Sequence, residues 1–354
     1  MTPAVSVLMA VRDGERWLGH AVESVLAQSC ADFECIVVDD ASTDTSRDIL
    51  AACGDARVRC IVNERRLGLA ASLNRALAAA RGAVVARQDA DDESRPERLE
   101  RQMAFLAAHP EVGVVGTGVD MVDDEGRPAG EYLLYPDHAR ISWALCFGHP
   151  FAHPSVCLRT ELLRRVGGYD ESFGAAQDHD LWTRLAGRTR FANLDERFVV
   201  YRRHDASVSS ARAGRQREAD ARARAAHLSW LTGRHVDEAE LFWNALPAAV
   251  PGAVELAPER AVAGLVAYAR LVVEARRAFA RRMRCDAAEA RAVDRLAGRR
   301  LWNVGAALAR VSVPWAAWAV ARAMALDPAL AGREARSGLR RTVARLLRRA
   351  EDAG

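Results

Sequence analysis

The sequence predicts an α/β protein built on a doubly wound, mainly parallel sheet and continued by a mainly helical C-terminal region. Three observations carry this. Over the first 120 residues, short β-type runs alternate with helical periodicity. Two acidic clusters, Asp39-Asp40 and Asp89-Asp91-Asp92, each close a strand-like run, and parallel sheets hold their ligands at such ends. Beyond residue 210 the chain turns almost wholly helical and rich in Ala, Leu and Arg. The expected domains are therefore 1–210 and 211–354.

The elements follow in order. "VSVLMAV" (5–11) reads as a buried strand, and "ERWLGHAVESVLAQ" (15–28) as a helix with Trp17, Leu18, Ala21, Val22, Val25 and Leu26 on one face. "FECIVV" (33–38) is a second strand, closed by "DDASTD", where Ser42, Thr43 and Asp44 offer turn and N-cap chemistry. A third strand, "RVRCIV" (57–62), precedes the helix 67–80, and "GAVVARQ" (82–88) is the fourth. Pro96 then opens the helix "PERLERQMAFLAAH". From 112 to 205 the pattern is mixed, with strands near "VGVVGTGVDMV", "SVCLR" and "FVVYRRH" and a helix at "DHDLWTRLA". The tail "REARSGLRRTVARLLRRA" (333–350) places Ala335, Leu339, Val343, Leu346 and Ala350 on one stripe among arginines, a basic amphipathic helix.

Half of the 354 residues are hydrophobic, which suits a substantial core and excludes wholesale disorder. All fifty basic residues are Arg, and the net charge of +3 conceals an asymmetry. Residues 1–210 carry 24 Arg against 32 acids (−8), and residues 211–354 carry 26 against 15 (+11). Two parts with different partners are expected. The seven Cys lack any CxxC or Cys/His ligand spacing and read as reduced structural thiols of a cytosolic protein. The amino terminus lacks a signal-peptide pattern, and the longest uncharged apolar run, 311–321, is too short to span a bilayer. A cytoplasmic chain follows, soluble or peripheral at the inner face of the plasma membrane.

Asp89 and Asp91, one residue apart at a strand end, face one side. Like charges that close repel unless a cation or strong donors sit between them. Mg²⁺ and Mn²⁺ take few protein ligands and fill the rest from water and phosphate, so the pair suits a divalent ion shared with a diphosphate. An acidic turn is the alternative. Asp39-Asp40 suits base or ribose contacts, or a capping turn. In "GYDESFGAAQDHDLWTRLA", Asp178 shares the inward stripe of Trp182 and Leu185, whereas Asp180 lies off it. A carboxylate heading such a stripe beside a cleft acts as a general base or as a helix cap.

The chain resembles family 2 glycosyltransferases of the GT-A fold. "VSVLMAVRDGERWLGHAVESVLAQSCADFECIVVDDASTD" looks like their opening, and "NERRLGLAASLNRALAAARGAVVARQDADDESRPERLERQMAFLAAHPEVGVVG" continues the match. "HPSVCLRTELLRRVGGYDESFGAAQDHDLWTRLA" and "YRRHDASVS" complete it, over roughly residues 3–210. The resemblance implies a nucleotide-diphosphosugar donor, with Asp39, Asp40, Gly68 and the backbone of Ala10 on the nucleotide side. It implies Asp91 as metal ligand, Asp89 towards ribose or metal, Asp92 in support, and Mn²⁺ or Mg²⁺ as the ion. Asp178 becomes the base of an inverting transfer, His204 approaches the diphosphate or metal, and His153 falls near the acceptor. A saccharide or lipid-linked saccharide of cell-envelope or O-antigen type is the implied acceptor, with Arg-rich helices touching anionic membrane.

There are departures from the family pattern. Gln177 stands where Glu commonly precedes the base, and "AVRDGE" replaces a Tyr-Asn ending of the first strand. No QxxRW-type motif follows the base, which argues for single-sugar transfer over processive synthesis. Two other classes compete. A sugar-phosphate nucleotidyltransferase needs a Gly-rich loop after the first strand, and this chain supplies one Gly there. A non-catalytic nucleotide-sugar-binding protein has no need of Asp89, Asp91 and Asp178 together. Nucleic acid is not an expected partner, since the basic tail lacks interleaved aromatics.

Overall fold

Four strands, β1 (Val5–Val11), β2 (Phe33–Asp39), β3 (Val58–Val62) and β4 (Val84–Arg87), run parallel in the order β3-β2-β1-β4. The computed structural model describes residues 2–132, 134–204, 213–241, 258–283, 285–309, 312–330 and 332. The chain divides into two compact units, Met1–Ala223 and Arg224–Gly354. β1 and β2 are apolar along nearly their whole length because both faces of the sheet are covered. Val5, Val7, Met9 and Val11 pack with Cys35 and Val37 under α1 (Leu18–Leu26), α2 (Ser46–Ala52) and α4 (Arg98–Ala108). Leu8, Ile36 and Val38 point the other way, against α3 (Leu69–Ala79), α5 (His138–Leu145) and α7 (Gln177–Leu185).

Past β4 the sheet changes character. β8 (Cys157–Arg159), leading into α6 (Thr160–Arg165), lies antiparallel to β4 and also to β6 (Val112–Val122). β6 continues the sheet to the long β9 (Arg190–Arg202) in parallel, and the two-residue β5 (Glu93–Ser94) closes its edge antiparallel to β9. β7 (Pro128–Glu131) forms a hairpin with β6 around Gly126, whose φ of +79° only glycine adopts easily. The expected parallel sheet thus describes β1 to β4 and the β6·β9 pair, whereas β5, β7 and β8 pair antiparallel with their neighbours. The β5·β9 ladder matters for function, because it ties the segment after β4 to a strand more than a hundred residues later.

In the second unit, α10 (Pro258–Arg282), α11 (Ala287–Leu308) and α12 (Val313–Leu326) follow α8 (Ala213–Thr232), which crosses the unit boundary, and α9 (Glu238–Leu241). Asp286 and Glu289 form a capping box at the start of α11. Gly305 of α11 lets α12 approach: a Cβ there would lie 2.8 Å from Val320 Cγ2. No helix among the described residues is long and apolar enough to cross a membrane. The basic amphipathic helix expected at 333–350 lies outside the described residues.

Candidate active site

After β4 the chain turns through Gln88–Asp92 into β5, and that turn is tied from beneath. Gln88 donates its amide to the Asp92 carbonyl at 2.8 Å and accepts from Ser94 Oγ at 2.6 Å and Arg98 Nη1 at 2.9 Å. Arg98, fully buried on α4, also donates to the Arg87 carbonyl at 2.7 Å. The turn presents Asp89, Asp91 and Asp92 with carboxylate oxygens all within 4.8 Å of one another. Asp89 is paired with the buried Arg87 guanidinium. Asp91 Oδ2 lies 2.9 Å from His204 Nε2, and the His204 ring packs on Trp17 with centroids 4.3 Å apart. Asp92 Oδ1 accepts from the Arg202 amide at 2.8 Å.

Burial raises the pKa of Asp89; Arg87 opposes the shift and Asp91 adds to it. Burial, then the charges of Asp91 and Asp89, hold Asp92 well above the ordinary carboxylate value. Among the described residues, the buried Asp92 Oδ2 and His204 Nδ1 have no hydrogen-bond partner. Three crowded carboxylates with one internal cation and an orphaned buried oxygen are short of positive charge. Their all-oxygen donor set fits a hard divalent ion such as Mg²⁺ or Mn²⁺.

A cleft of ≈ 320 Å³ runs from this cluster to Asp178, His153 and His149. Asp178 is half-buried on the first turn of α7, where the helix dipole favours a carboxylate. Its charge is felt at Asp89. The expectation for its neighbour is corrected: Asp180 is itself buried, and it is neutralised by Arg184 at 2.8 Å. Arg184 in turn donates to the carbonyls of Val166 and Gly168, so helical spacing underestimated how far this face is enclosed. Trp182 and Leu185 are buried. His153 Nε2 sits 3.0 Å from the Tyr169 hydroxyl. Burial and the nearby Arg87 charge push its pKa well below the usual imidazole value, so it stands neutral.

The residues assigned to the nucleotide side lie at the ends of β1 and β2. Asp40 accepts from Asn63 Nδ2 at 2.8 Å and from the amides of Leu67 and Gly68 at 2.7 and 2.9 Å. Burial opposes ionisation, but these donors outweigh it and lower the pKa. Gly68 starts α3 at φ +96°, and Leu69 after it lines the cleft. Asp39 is fully buried, bonded to the Ser42 amide at 3.1 Å and to Arg47 at 2.6 Å. Ala10 is paired with Val38, and β1 runs one residue beyond it. Asp39, Asp40 and Ala10 are not among the residues lining the cleft. Sequence reasoning missed Arg87, Gln88, Arg98, Trp17 and Arg202, which hold the acidic turn. Arg87 and Arg98 flank the acids in "ARQD…RPERL", but nothing in that string marks them as buried while Arg95 between them is exposed.

The fold is an α/β domain of GT-A architecture with a cleft at its strand ends. The description "Glycosyl transferase family 2" matches residues 6–167. The O-antigen biosynthesis glycosyltransferase WbnJ of Escherichia coli is 31% identical over 211 residues, 58% of this chain and 81% of WbnJ. EpsE of Bacillus subtilis is 40% identical over 188 residues, 52% of this chain and 66% of EpsE, so the chain spans just under two thirds of that relative. Residues 1–349 of TarS from S. aureus, in complex with UDP-GlcNAc, share the fold with a TM-score of 0.56 and 18% identity, covering 92% of this chain and 90% of that one. The chain belongs to glycosyltransferase family 2, and one of its relatives is a glycosyltransferase of O-antigen biosynthesis.

Proposed function

We propose that residues 1–210 move one sugar from a nucleotide-diphosphosugar, a UDP-sugar, to a hydroxyl of a saccharide or lipid-linked saccharide, with inversion, in cell-envelope polysaccharide synthesis. The observation carrying this is that Asp89, Asp91, Asp92 and Asp178 line one cleft at the strand ends. The UDP-GlcNAc bound by TarS and the O-antigen role of WbnJ support the donor and acceptor classes.

Asp91, Asp89 and His204 would hold a Mn²⁺ or Mg²⁺ ion, which when bound offsets charge on the departing diphosphate. Asp40 and the Gly68 turn receive the nucleoside. Asp178 accepts the proton of the acceptor hydroxyl, whose oxygen attacks the anomeric carbon opposite the leaving diphosphate. The bond from that carbon to the diphosphate oxygen breaks, and nucleoside diphosphate departs. Neutral His153 offers the acceptor a hydrogen-bonding ring without adding positive charge. Residues 211–354, with 26 Arg against 15 acids, would bring positive charge to anionic lipid at the inner face of the membrane.

The test is a screen of UDP-, GDP- and dTDP-sugars for Mn²⁺-dependent thermal stabilisation, followed by acceptor assays. Asp178→Asn should keep donor stabilisation while transfer falls about 10²–10⁴-fold. Near-normal turnover in that variant would overturn the base assignment. Retention of anomeric configuration in the product would overturn inversion.

A further inference from the structure

In the sequence Trp17 opens the apolar stripe of α1, yet it does not join the core that stripe builds. Leu18, Ala21, Val22 and Val25 are buried, whereas Trp17 stands half-buried at the N-cap of the helix. Its indole lies against the His204 ring, with centroids 4.3 Å apart and planes tilted by 40°.

The loop that delivers Trp17 is fixed along its length. Gly14 donates its amide to Ser46 Oγ at 2.9 Å, and Glu15 donates its amide to Asp44 Oδ2 at 2.9 Å. The Asp13 carboxylate accepts from the Thr43 amide at 2.8 Å, and the Trp17 amide donates to the Gly14 carbonyl at 3.1 Å. Two guanidinium groups then flank the indole, Arg16 at 4.4 Å and Arg202 at 5.8 Å from its centre. Both are anchored themselves. Arg16 pairs with Asp124 at 3.4 Å, and Arg202 donates to the Asp91 carbonyl at 3.3 Å and to Glu93 at 3.1 Å. Cations drawn to an aromatic face hold the ring as well as themselves.

His204 needs such support. Its side chain is 7% exposed, and its Nε2 lies 2.9 Å from Asp91 Oδ2. An imidazole at a metal site is usually oriented by donating its other ring N–H to a carboxylate or carbonyl. The Nδ1 of His204 is buried and has no hydrogen-bond partner. Packing must therefore set the angle of this ring, and Trp17 is the ring packed on it.

We propose that Trp17 is a positioning residue for the divalent-ion site: its indole holds the His204 ring so that Nε2 meets Asp91, in place of the usual second hydrogen bond. The proposal rests on the reading of Asp91 and His204 as ligands. Trp17 is not among the residues lining the cleft, and it acts through His204.

The experiment titrates Mn²⁺ alone into the full chain and reads the free ion by electron paramagnetic resonance, without donor, acceptor or turnover. His204→Ala and Trp17→Ala should each weaken Mn²⁺ binding about 10–100-fold, and Trp17→Phe, which keeps a ring, should restore most of it. The double variant Trp17→Ala/His204→Ala should lose no more than His204→Ala does, because residues that act through one another are not additive. A merely structural role would add its own loss. Additive losses, or wild-type affinity in Trp17→Ala beside weakened binding in His204→Ala, would overturn the positioning role and leave the ligand reading standing. Equal affinity in wild type, Asp91→Asn and His204→Ala would sink the ligand reading, and the proposal with it. Where Trp17→Ala fails to fold, Trp17→Leu keeps apolar bulk without the flat ring. It should show the same loss, and wild-type affinity in that variant overturns the proposal.

Discussion

At the residue scale the acidic turn is defined by what its neighbours cannot neutralise. Arg87 answers Asp89 and the Arg202 amide answers Asp92, yet burial still raises both carboxyls above their ordinary values. Asp91 reaches His204 and is the group best placed to share a divalent ion with it. Asp91→Ala should therefore abolish the Mn²⁺-dependent part of donor stabilisation, which at a hundred times Kd amounts to about 2.7 kcal/mol. Melting curves with and without Mn²⁺ and donor check this; an unchanged shift removes Asp91 from the metal site. The acids and Asp178 were legible in the sequence because uncompensated charge beside apolar runs is rare. Arg87 and Arg98 were not, since a chain with fifty arginines gives no hint of which two are buried.

At the scale of elements, the sheet's parallel half is sewn together by one buried carboxylate. Glu34 on β2 accepts from Ser6 Oγ on β1 at 2.8 Å, the Arg81 amide at 2.8 Å and Arg81 Nε at 3.0 Å. Burial opposes its ionisation, but the Ser6 and Arg81 bonds prevail and its pKa falls below the ordinary 4.5. A depressed folded-state pKa means that this stabilisation is fully present above pH 4.5 and fades as pH drops through the folded value. Glu34→Gln should cost about 1–3 kcal/mol at neutral pH. Its melting temperature should draw towards wild type as pH falls below 4.5; an equal gap at neutral and acid pH would remove the charge from the explanation. β1, β2 and most of β4 were readable because buried parallel strands are continuous apolar runs, whereas β3 is a half-exposed edge strand that includes Arg59. β5 and β7 were not, since Glu93–Ser94 and Pro128–Glu131 carry no alternation and exist only through pairing with β9 and β6. α7 was readable from Trp182 and Leu185, but Asp180 broke the pattern because Arg184 comes from the same helix to neutralise it.

At the scale of the whole molecule, charge is divided against the chain's own average. Residues 1–210 carry −8 and residues 211–354 carry +11, and residues 333–354 alone hold seven Arg against three acids. An acceptor on a lipid anchor concentrates substrate at a surface, and anionic head groups attract basic residues by about 1 kcal/mol each when these lie close. Seven arginines near such a surface, less the repulsion of three acids, suffice for binding that is reversible and electrostatic. The full chain should therefore co-sediment with phosphatidylglycerol vesicles at low salt and release as ionic strength approaches about 1 M, where the Debye length shrinks to about 3 Å. Phosphatidylcholine vesicles should retain little. Equal binding to both lipids would mean apolar insertion instead, and no binding to either would assign the positive charge to another partner. Substituting Arg340, Arg341, Arg348 and Arg349 by Gln should weaken sedimentation without altering donor stabilisation if the donor is held by residues 1–210 alone, as proposed. A parallel fall in donor stabilisation would instead tie those arginines to the nucleotide.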